Sequence, residues 1–505
     1  MTDRRRVTHR ADGGVPNASR LPARPHVVVV GGGIAGLAAA TGLAERGVRV
    51  EVVERRECLG GRVAGWRHRL PDGSEAAMNR GFHAFFRQYY NLRALLRRVD
   101  PQLDMLTPVE DYPLIDGDGR RDTFRGLPTT PPWNALVFAM RSPTFRLRDM
   151  VRLNARAAAP LAAVSVPDIY ARLDDRDAQS FLADINFPEA ARHLAFEVFS
   201  RSFFAEPHDL SAAELATMFH IYFLGSSEGL VFDVVNANFD VALWDPLRSY
   251  LQSRGVQFRT GVAVTRIDTD PTLTVTLDDG TAIDTDGAVL ATDVAGLQRI
   301  VADSPGLGDD AWRKQVAGLG VAPPFVVQRL WLDRPVRADR AAFVGTGGRA
   351  PLDNVSVLDR YEREAAQWAR RTGGSVVELH AYAVHPPYDQ LHDWLLARLH
   401  ELYPETREAT VVAEQTLCHQ DCPRFAPGDF AHRPGIATPD ARVMLAGDGI
   451  RVDLPVALME RAATTGWLAA NRLLHRFGVK GHAVQTVPTK GRSRLLRALA
   501  GRVIR

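Results

Sequence analysis

Residues 26–62, HVVVVGGGIAGLAAATGLAERGVRVEVVERRECLGGR, decide the fold. Val27–Val30 is an apolar, β-branched run, the pattern of a strand covered on both faces of a parallel sheet. The chain then turns on Gly31-Gly32-Gly33, and Ile34–Arg46, rich in Ala and Leu, reads as a helix that Gly47 ends. Val48–Val53 is a second strand, finishing at Glu54. The result is a βαβ unit carrying G-x-G-x-x-G as Gly31, Gly33 and Gly36. Gly31 permits the tight turn, Gly33 lets backbone approach a pyrophosphate, and Gly36 lets helix and strand pack closely. Ile34 and Ala35 open the helix, whose free N–H groups and positive dipole end would face the phosphates. Glu54 follows Gly36 by eighteen residues, where a carboxylate accepts hydrogen bonds from a ribose. A glycine motif alone is weak evidence. Strand, glycines, helix, second strand and terminal acid together read as a dinucleotide site. Just beyond it, Gly60-Gly61-Arg62 would bring a guanidinium to the pyrophosphate.

The chain has 505 residues, enough for two or more lobes. Hydrophobic residues make up 46% and charged residues 24%, the balance of an ordinary globular protein. No uninterrupted apolar run reaches membrane-spanning length, and MTDRRRVTHRADGGVPNASRLPARP has no apolar core, so it reads as a disordered leader rather than a secretory signal. Three cysteines fit a reducing cytoplasm and exclude a disulfide framework. Cys418-His419-Gln420-Asp421-Cys422 brings to mind a metal clip, but no second ligand pair accompanies it, and structural thiols are the reading. Net charge is +3, unevenly spread: residues 1–25 carry +4 and residues 480–505 carry +7, leaving −8 for the body between. Basic ends on an acidic body suggest contact with an anionic surface rather than nucleic-acid reading.

Further along, 66–78 reads as a hairpin turning at Pro71-Asp72-Gly73, and Gln88–Val99 as a helix. Between them stands Asn79-Arg80-Gly81-Phe82-His83-Ala84-Phe85-Phe86, either core aromatics with a surface Arg or an apolar wall beside a planar cofactor. Trp133–Met140 is apolar and aromatic, and Arg141, Arg146, Arg148, Arg152 and Arg156 follow it with only Asp149 opposed, which suits an interfacial segment or a solvated basic helix. Residues 180–224 read as helical and supply Phe187, Phe196, Phe199, Phe203, Phe204, Phe219, Tyr222 and Phe223, more than core filling requires and suited to an apolar channel. Strands follow at Val256–Arg259, at Ala288–Asp293, at Phe325–Leu332, at Asn354–Leu358 and at Val376–Ala381, with a meander over 261–284. Ala441–Leu445 is a strand entering Gly447-Asp448, and Pro455 reads as the first turn of a long helix from Val456 to Leu474.

With these motifs placed, the chain resembles the amine-oxidase/phytoene-desaturase superfamily of flavoproteins. The resemblance is carried by VVVVGGGIAGLAAATGLAERGVRVEVVE, LGGR, VLATD and LAGD…ALMERAATTG. It implies an α/β fold: a Rossmann-type FAD-binding domain (26–111, 240–300 and 435–479) interleaved with an α+β substrate domain (112–239 and 301–434). A helical, membrane-associated segment and a basic amphipathic tail (480–505) accompany them. It implies FAD as the cofactor, held by Gly31, Gly33, Ile34, Ala35, Gly36, Glu54, Arg55, Gly61, Arg62, Val264, Gly447, Asp448, Val456 and Met459. NRGFHAFFRQYYNLR, LPTTPPWNALVFAMRSPTF, INFPEAARHLAFEVFSRSFFA and MFHIYFLGSSEGLVFDV look more narrowly like the bacterial carotenoid φ-ring synthases.

That narrower resemblance implies hydride removal from the β-ionone ring of a C40 carotenoid, migration of one geminal methyl from C1 to C2, and proton loss to give an aromatic ring. Phe82, Phe85, Phe86 and Tyr222 are candidates to stabilise a ring cation, His83 or Glu228 to accept the proton, and Arg80 to hold the flavin edge. Such a substrate partitions into lipid, so peripheral attachment at the inner face of the cell membrane is expected. Trp133–Arg156 and the tail face of Leu495, Leu496, Leu499 and Val503 would make the contact. A quinone or oxygen would reoxidise the flavin. Linear polyene desaturation and soluble amine oxidation are the competing readings, and an inert carotenoid binder is a fourth.

Overall fold

The computed structural model describes residues 3–144, 151–191, 201–491, 494–495 and 497–498. Two sheets dominate it. The first is a five-stranded parallel sheet in the order Gln257–Thr260, Arg49–Glu54, His26–Val30, Gly287–Leu290, Val443–Leu445. All eleven residues of the crossover helix Ile34–Ala44 are buried. The reason lies in its small side chains. The sheet covers one side, and the closing helix Leu458–Arg476 packs on the other, where a Cβ on Gly466 would lie 2.2 Å from the Ala35 carbonyl oxygen. A helix so enclosed needs no polar face, which is why this one reads apolar all round.

The second sheet has seven strands in the order Val411–His419, Phe325–Leu332, Ser375–Ala381, Asn354–Val357, Phe343–Thr346, Leu114–Ile115, Arg121–Asp122, antiparallel except where Phe343–Thr346 meets Leu114–Ile115. Its outer face, with Val326, Leu330, Val377 and Leu379, is covered by the helix Leu391–Leu402. Period-two alternation turns Phe325, Val327, Arg329, Glu378 and His380 to the opposite face. A three-stranded antiparallel meander, Val264–Asp268, Thr274–Leu277 and Ala282–Asp284, extends from the parallel sheet.

The structure corrects the sequence reading in several places. The leader is not disordered. Val7–His9 pairs antiparallel with Val484–Thr486, and the Asp3 side chain is buried. Its partner strand lies at the far end of the chain, so no local signal announces it. The proposed tail is likewise structured as far as Gly491, whose N–H donates to the Val164 carbonyl. The last helix starts at Leu458 rather than Val456, with Ala457 as N-cap, so Pro455 precedes the helix instead of opening it. The helix read as Gln88–Val99 is shorter, Tyr90–Leu96. No helix among the described residues is long and apolar enough to cross a membrane. Arg146, Arg148, Phe196, Phe199, Leu496, Leu499 and Val503 lie outside the described residues.

Candidate active site

One cleft runs from the glycine turn of the parallel sheet to the inner face of the seven-stranded sheet, with a cavity volume of about 390 Å³. That is the size of an ordinary small-molecule pocket, about 300–1,000 Å³, but its lining is long, from Gly31 and Glu54 at one end to Phe343 and Tyr382 at the other, which suits an extended ligand.

At its first end the cleft is built mainly by backbone. Gly31 has φ +107, and a Cβ there would lie 2.5 Å from the Ala291 carbonyl oxygen; a Cβ on Gly36 would lie 1.9 Å from the Gly31 oxygen. Both glycines are therefore dictated by close approach. Gly33 differs, since a Cβ there would meet only Gly61 Cα, at 3.9 Å. Two glycine turns thus face one another across a gap that any larger side chain would fill. Ile34 and Ala35 line this gap ahead of the first intrahelical bond, from the Leu37 N–H to the Gly33 carbonyl (2.9 Å). Their N–H groups are the kind that receive phosphate oxygens. Glu54 is fixed by the N–H groups of Gly32 (2.7 Å) and Arg56 (2.9 Å). Arg55 pairs with Asp293 (2.6 Å), which also caps the helix Val294–Ala302, and Arg62 pairs with Asp448. Thr292 Oγ1 is buried at the cleft wall without a hydrogen-bond partner. Facing glycine turns, helix N–H groups, an oriented carboxylate and an unsatisfied hydroxyl fit a dinucleotide with a pyrophosphate centre.

The second end is built by side chains. Phe82 stacks on Phe343 (centroids 4.1 Å apart), and Phe86 and Phe232 meet edge-on at 5.2 Å. Phe204 and Phe325 continue the wall, 4.9 Å apart. Arg80 donates to both oxygens of Asp421 (2.7 and 2.8 Å) and lies over the Phe325 ring. His83 Nδ1 donates to the Gly81 carbonyl (2.8 Å), which leaves Nε2 as an acceptor. Burial pushes His83 down to about 4 despite the pull of that carbonyl. Burial raises Asp353 to about 6 against the opposing Arg201 guanidinium and Tyr382 N–H.

Most residues singled out from sequence line this cleft: Gly31, Gly33, Ile34, Ala35, Glu54, Arg55, Gly61, Arg62, Val264, Gly447, Asp448 and Met459, together with Arg80, Phe82, His83 and Phe86. Several do not. Gly36 and Val456 stand behind the wall, the latter giving its carbonyl to Arg461 Nε (3.0 Å). Glu228 is corrected outright. It accepts the Asp3 N–H (3.1 Å) away from the cleft, held by the leader that sequence left unstructured. Phe85 is packed in the core and Tyr222 is bonded to Tyr89 (2.9 Å). Sequence reading also missed residues that the cleft uses: Thr292, Asp293, Phe232, Phe343, Asp353, His380, Tyr382 and Asp421. Asp421 lies within CHQDC, where the sequence reading weighs a metal clip around Cys418, His419 and Cys422, prefers structural thiols and gives Asp421 no role. Here it holds Arg80, and no group of metal-ligating side chains occurs among the described residues. His380 and Tyr382 had a legible signal, since Glu378-Leu379-His380-Ala381-Tyr382 alternates polar and apolar along a buried strand.

The family model described as flavin containing amine oxidoreductase matches residues 34–474. The carotenoid phi-ring synthase of Streptomyces griseus is 59% identical over 480 residues, covering 94% of this chain and 93% of that protein. A carotenoid phi-ring synthase from Chlorobaculum tepidum is 28% identical, covering 94% and 92%. Among solved structures, putrescine oxidase bound to putrescine matches with a TM-score of 0.65 at 16% identity, over 90% of this chain and all of that one, a likeness of fold alone. Dinucleotide cradle, shared fold and family match agree: the chain belongs to the flavin-containing amine oxidoreductase family, and its cofactor is FAD.

Proposed function

We propose that the protein is an FAD-dependent carotenoid oxidoreductase that converts the β-ionone ring of β-carotene into an aromatic φ-ring, with migration of one methyl group within the ring. The observation that carries this reading is the continuity of the cleft, in which the FAD cradle opens directly into a chamber walled by Phe82, Phe86, Phe204, Phe232, Phe325 and Phe343. The similarity to the two phi-ring synthases supports the same substrate.

When bound, FAD supplies a hydride acceptor. The chain's own residues supply the rest. The aromatic wall excludes water from a ring that becomes cationic and presents ring faces to the charge. His83, uncharged near neutral pH, offers Nε2 to a departing proton. Arg80 gives Nη1 and Nη2 to Asp421 and lies over the Phe325 ring, shaping the wall there, with its buried Nε left without a partner among the described residues.

We also place the protein at the cytoplasmic face of the cell membrane, drawing its substrate from lipid and passing electrons to a quinone or oxygen. Support comes from the helix Trp133–Arg141, where Trp133 and Met140 are 58% and 66% exposed beside basic Arg141, and from exposed Arg152 and Arg156 nearby.

The test is chromatography with mass analysis of carotenoids from β-carotene-producing cells expressing the chain. Loss of β-carotene with a product lighter by four hydrogens per converted ring is expected, and it should vanish in Gly33→Trp. Untouched β-carotene beside soluble yellow protein would overturn the reading, and desaturation of phytoene or ζ-carotene by that protein would mean linear desaturation, since the chain of β-carotene between its rings is already fully conjugated.

A further inference from the structure

Strand Ser375–Ala381 sets Glu378 and His380 on the face that turns toward the cleft, and Tyr382 follows at the same spacing. A chain of hydrogen bonds links them. Arg329, fully buried, donates to Glu378 Oε2 from Nε (2.9 Å) and Nη2 (2.7 Å). Glu378 Oε1 lies 2.8 Å from His380 Nε2, and His380 Nδ1 lies 2.9 Å from Tyr382 Oη. Asn354 Nδ2 donates to the same phenol oxygen (3.0 Å). His380 and Tyr382 line the cleft, and Glu378 stands behind them.

The donor directions follow from the ends of the chain. Burial works against a charge on Glu378, but Arg329 and the His380 contact outweigh it and hold the carboxyl at about 2. An ionised carboxylate only accepts, so His380 Nε2 carries the hydrogen. The Phe82 N–H also reaches Nε2, but at 3.4 Å, and the shorter carboxylate contact decides the tautomer. His380 Nδ1 is then the acceptor, and the Tyr382 O–H donates to it. With its only proton given to His380 and one lone pair given to Asn354, Tyr382 Oη keeps a second lone pair at the cleft wall. Gly81 couples this chain to the other side of the chamber: a Cβ on Gly81 would lie 2.5 Å from His380 Cε1, and its carbonyl fixes His83.

We propose that Tyr382, backed by His380 and Glu378, accepts one of the two protons released in aromatising each ring, with His83 accepting the other. This rests on the ring-aromatising reading above. Four hydrogens leave each ring as two hydrides and two protons; bound FAD would accept one hydride per turnover and be reoxidised by the quinone or oxygen named above before the second. In the step at Tyr382, the electron pair of a ring C–H bond becomes part of a ring double bond and the proton goes to Tyr382 Oη. The phenol's own proton passes to His380 Nδ1. The imidazolium so formed faces the Glu378 carboxylate, which Arg329 already holds in place. The logic is that of a base oriented through a histidine by a buried acid.

Tyr382→Phe removes only the phenol oxygen. It should lower kcat on the order of 100-fold with KM for β-carotene, flavin content and carotene binding unchanged. His380→Gln should give a loss of the same size, and the double variant should be no slower than either single one, because the members of a relay act as a unit. Conversion by the wild type with kcat unchanged in Tyr382→Phe would overturn the relay alone, as would losses that multiply in the double variant. A wild type that leaves β-carotene untouched would overturn the aromatising function and the relay with it. If Tyr382→Phe loses its flavin, the His380→Gln measurement decides on the same terms.

Discussion

The two ends of the cleft are made in opposite ways. The cradle end is mostly backbone, drawn from one continuous stretch and joined by strand ends at Ala291 and Gly447. The chamber end is almost all side chain, gathered from segments near residues 82, 204, 232, 325, 343 and 382. Backbone recognition of phosphate needs glycine and helix geometry, which tolerate little change. A wall of aromatic faces needs only apolar area and shape, which many sequences provide. The cradle should therefore fail abruptly when altered, and the chamber by degrees.

The largest effect is expected at the cradle. Gly33→Trp fills the gap between the two glycine turns, and the purified protein should be colourless, with no flavin absorbance and no conversion of β-carotene. A yellow variant would break the contrast at its base. Next comes His83→Gln, which should slow turnover on the order of 100-fold while flavin is retained. In the wild type, the acid limb of activity set by His83 should lie near pH 4 rather than near 6.5. The same depressed value has a stability consequence. Between about 4 and 6.5 the unfolded chain binds the proton and the folded one does not, so this group's contribution falls as pH drops through that window. The wild-type minus His83→Gln difference in denaturant midpoints should show this slope. A smaller effect belongs to Phe343→Ala, which removes the ring stacked on Phe82. The loss is about 1 kcal/mol, seen as a roughly fivefold rise in KM with flavin content intact. The smallest is Trp133→Asp on the exposed helix, which should weaken binding to anionic vesicles about threefold and leave turnover in detergent unchanged. A fall in detergent turnover would mean that the helix shapes the chamber itself.

The same contrast explains what sequence could reveal. Residues 26–62 were readable in detail because every element of a βαβ phosphate site has a local signature, and the observed strands and helix lie within two residues of that reading. Of the seven-stranded sheet, Phe325–Leu332, Asn354–Val357 and Ser375–Ala381 were legible as strands, but Leu114–Ile115, Arg121–Asp122, Phe343–Thr346 and Val411–His419 were not, nor was the order, since neighbours such as Leu114–Ile115 and Phe343–Thr346 are far apart in the chain. Phe232 and Phe343 were given no role from sequence, because nothing in their own neighbourhoods says which face meets a cavity. Glu228 misled for the converse reason. A carboxylate beside Gly229 in an aromatic stretch looks functional until its partner, the Asp3 N–H, is known.

The pairing of Val7–His9 with Val484–Thr486 carries a consequence for how the molecule is made. A ribosome adding about 5–20 residues per second completes the later strand roughly half a minute to a minute and a half after the earlier one. Throughout that interval the first strand has no partner. The parallel-sheet strand Val443–Leu445 and the closing helix Leu458–Arg476 over the crossover helix are made long after the glycine turn, so the cradle is completed only once residue 476 has been added. Removing residues from 486 onward takes Thr486 away from Val7 and opens this seam, whereas a cut after Gly491 spares it. Truncations meant to probe the basic end should therefore begin at residue 492, and a reporter fused at the front of the chain will register closure of the seam as a late event in synthesis.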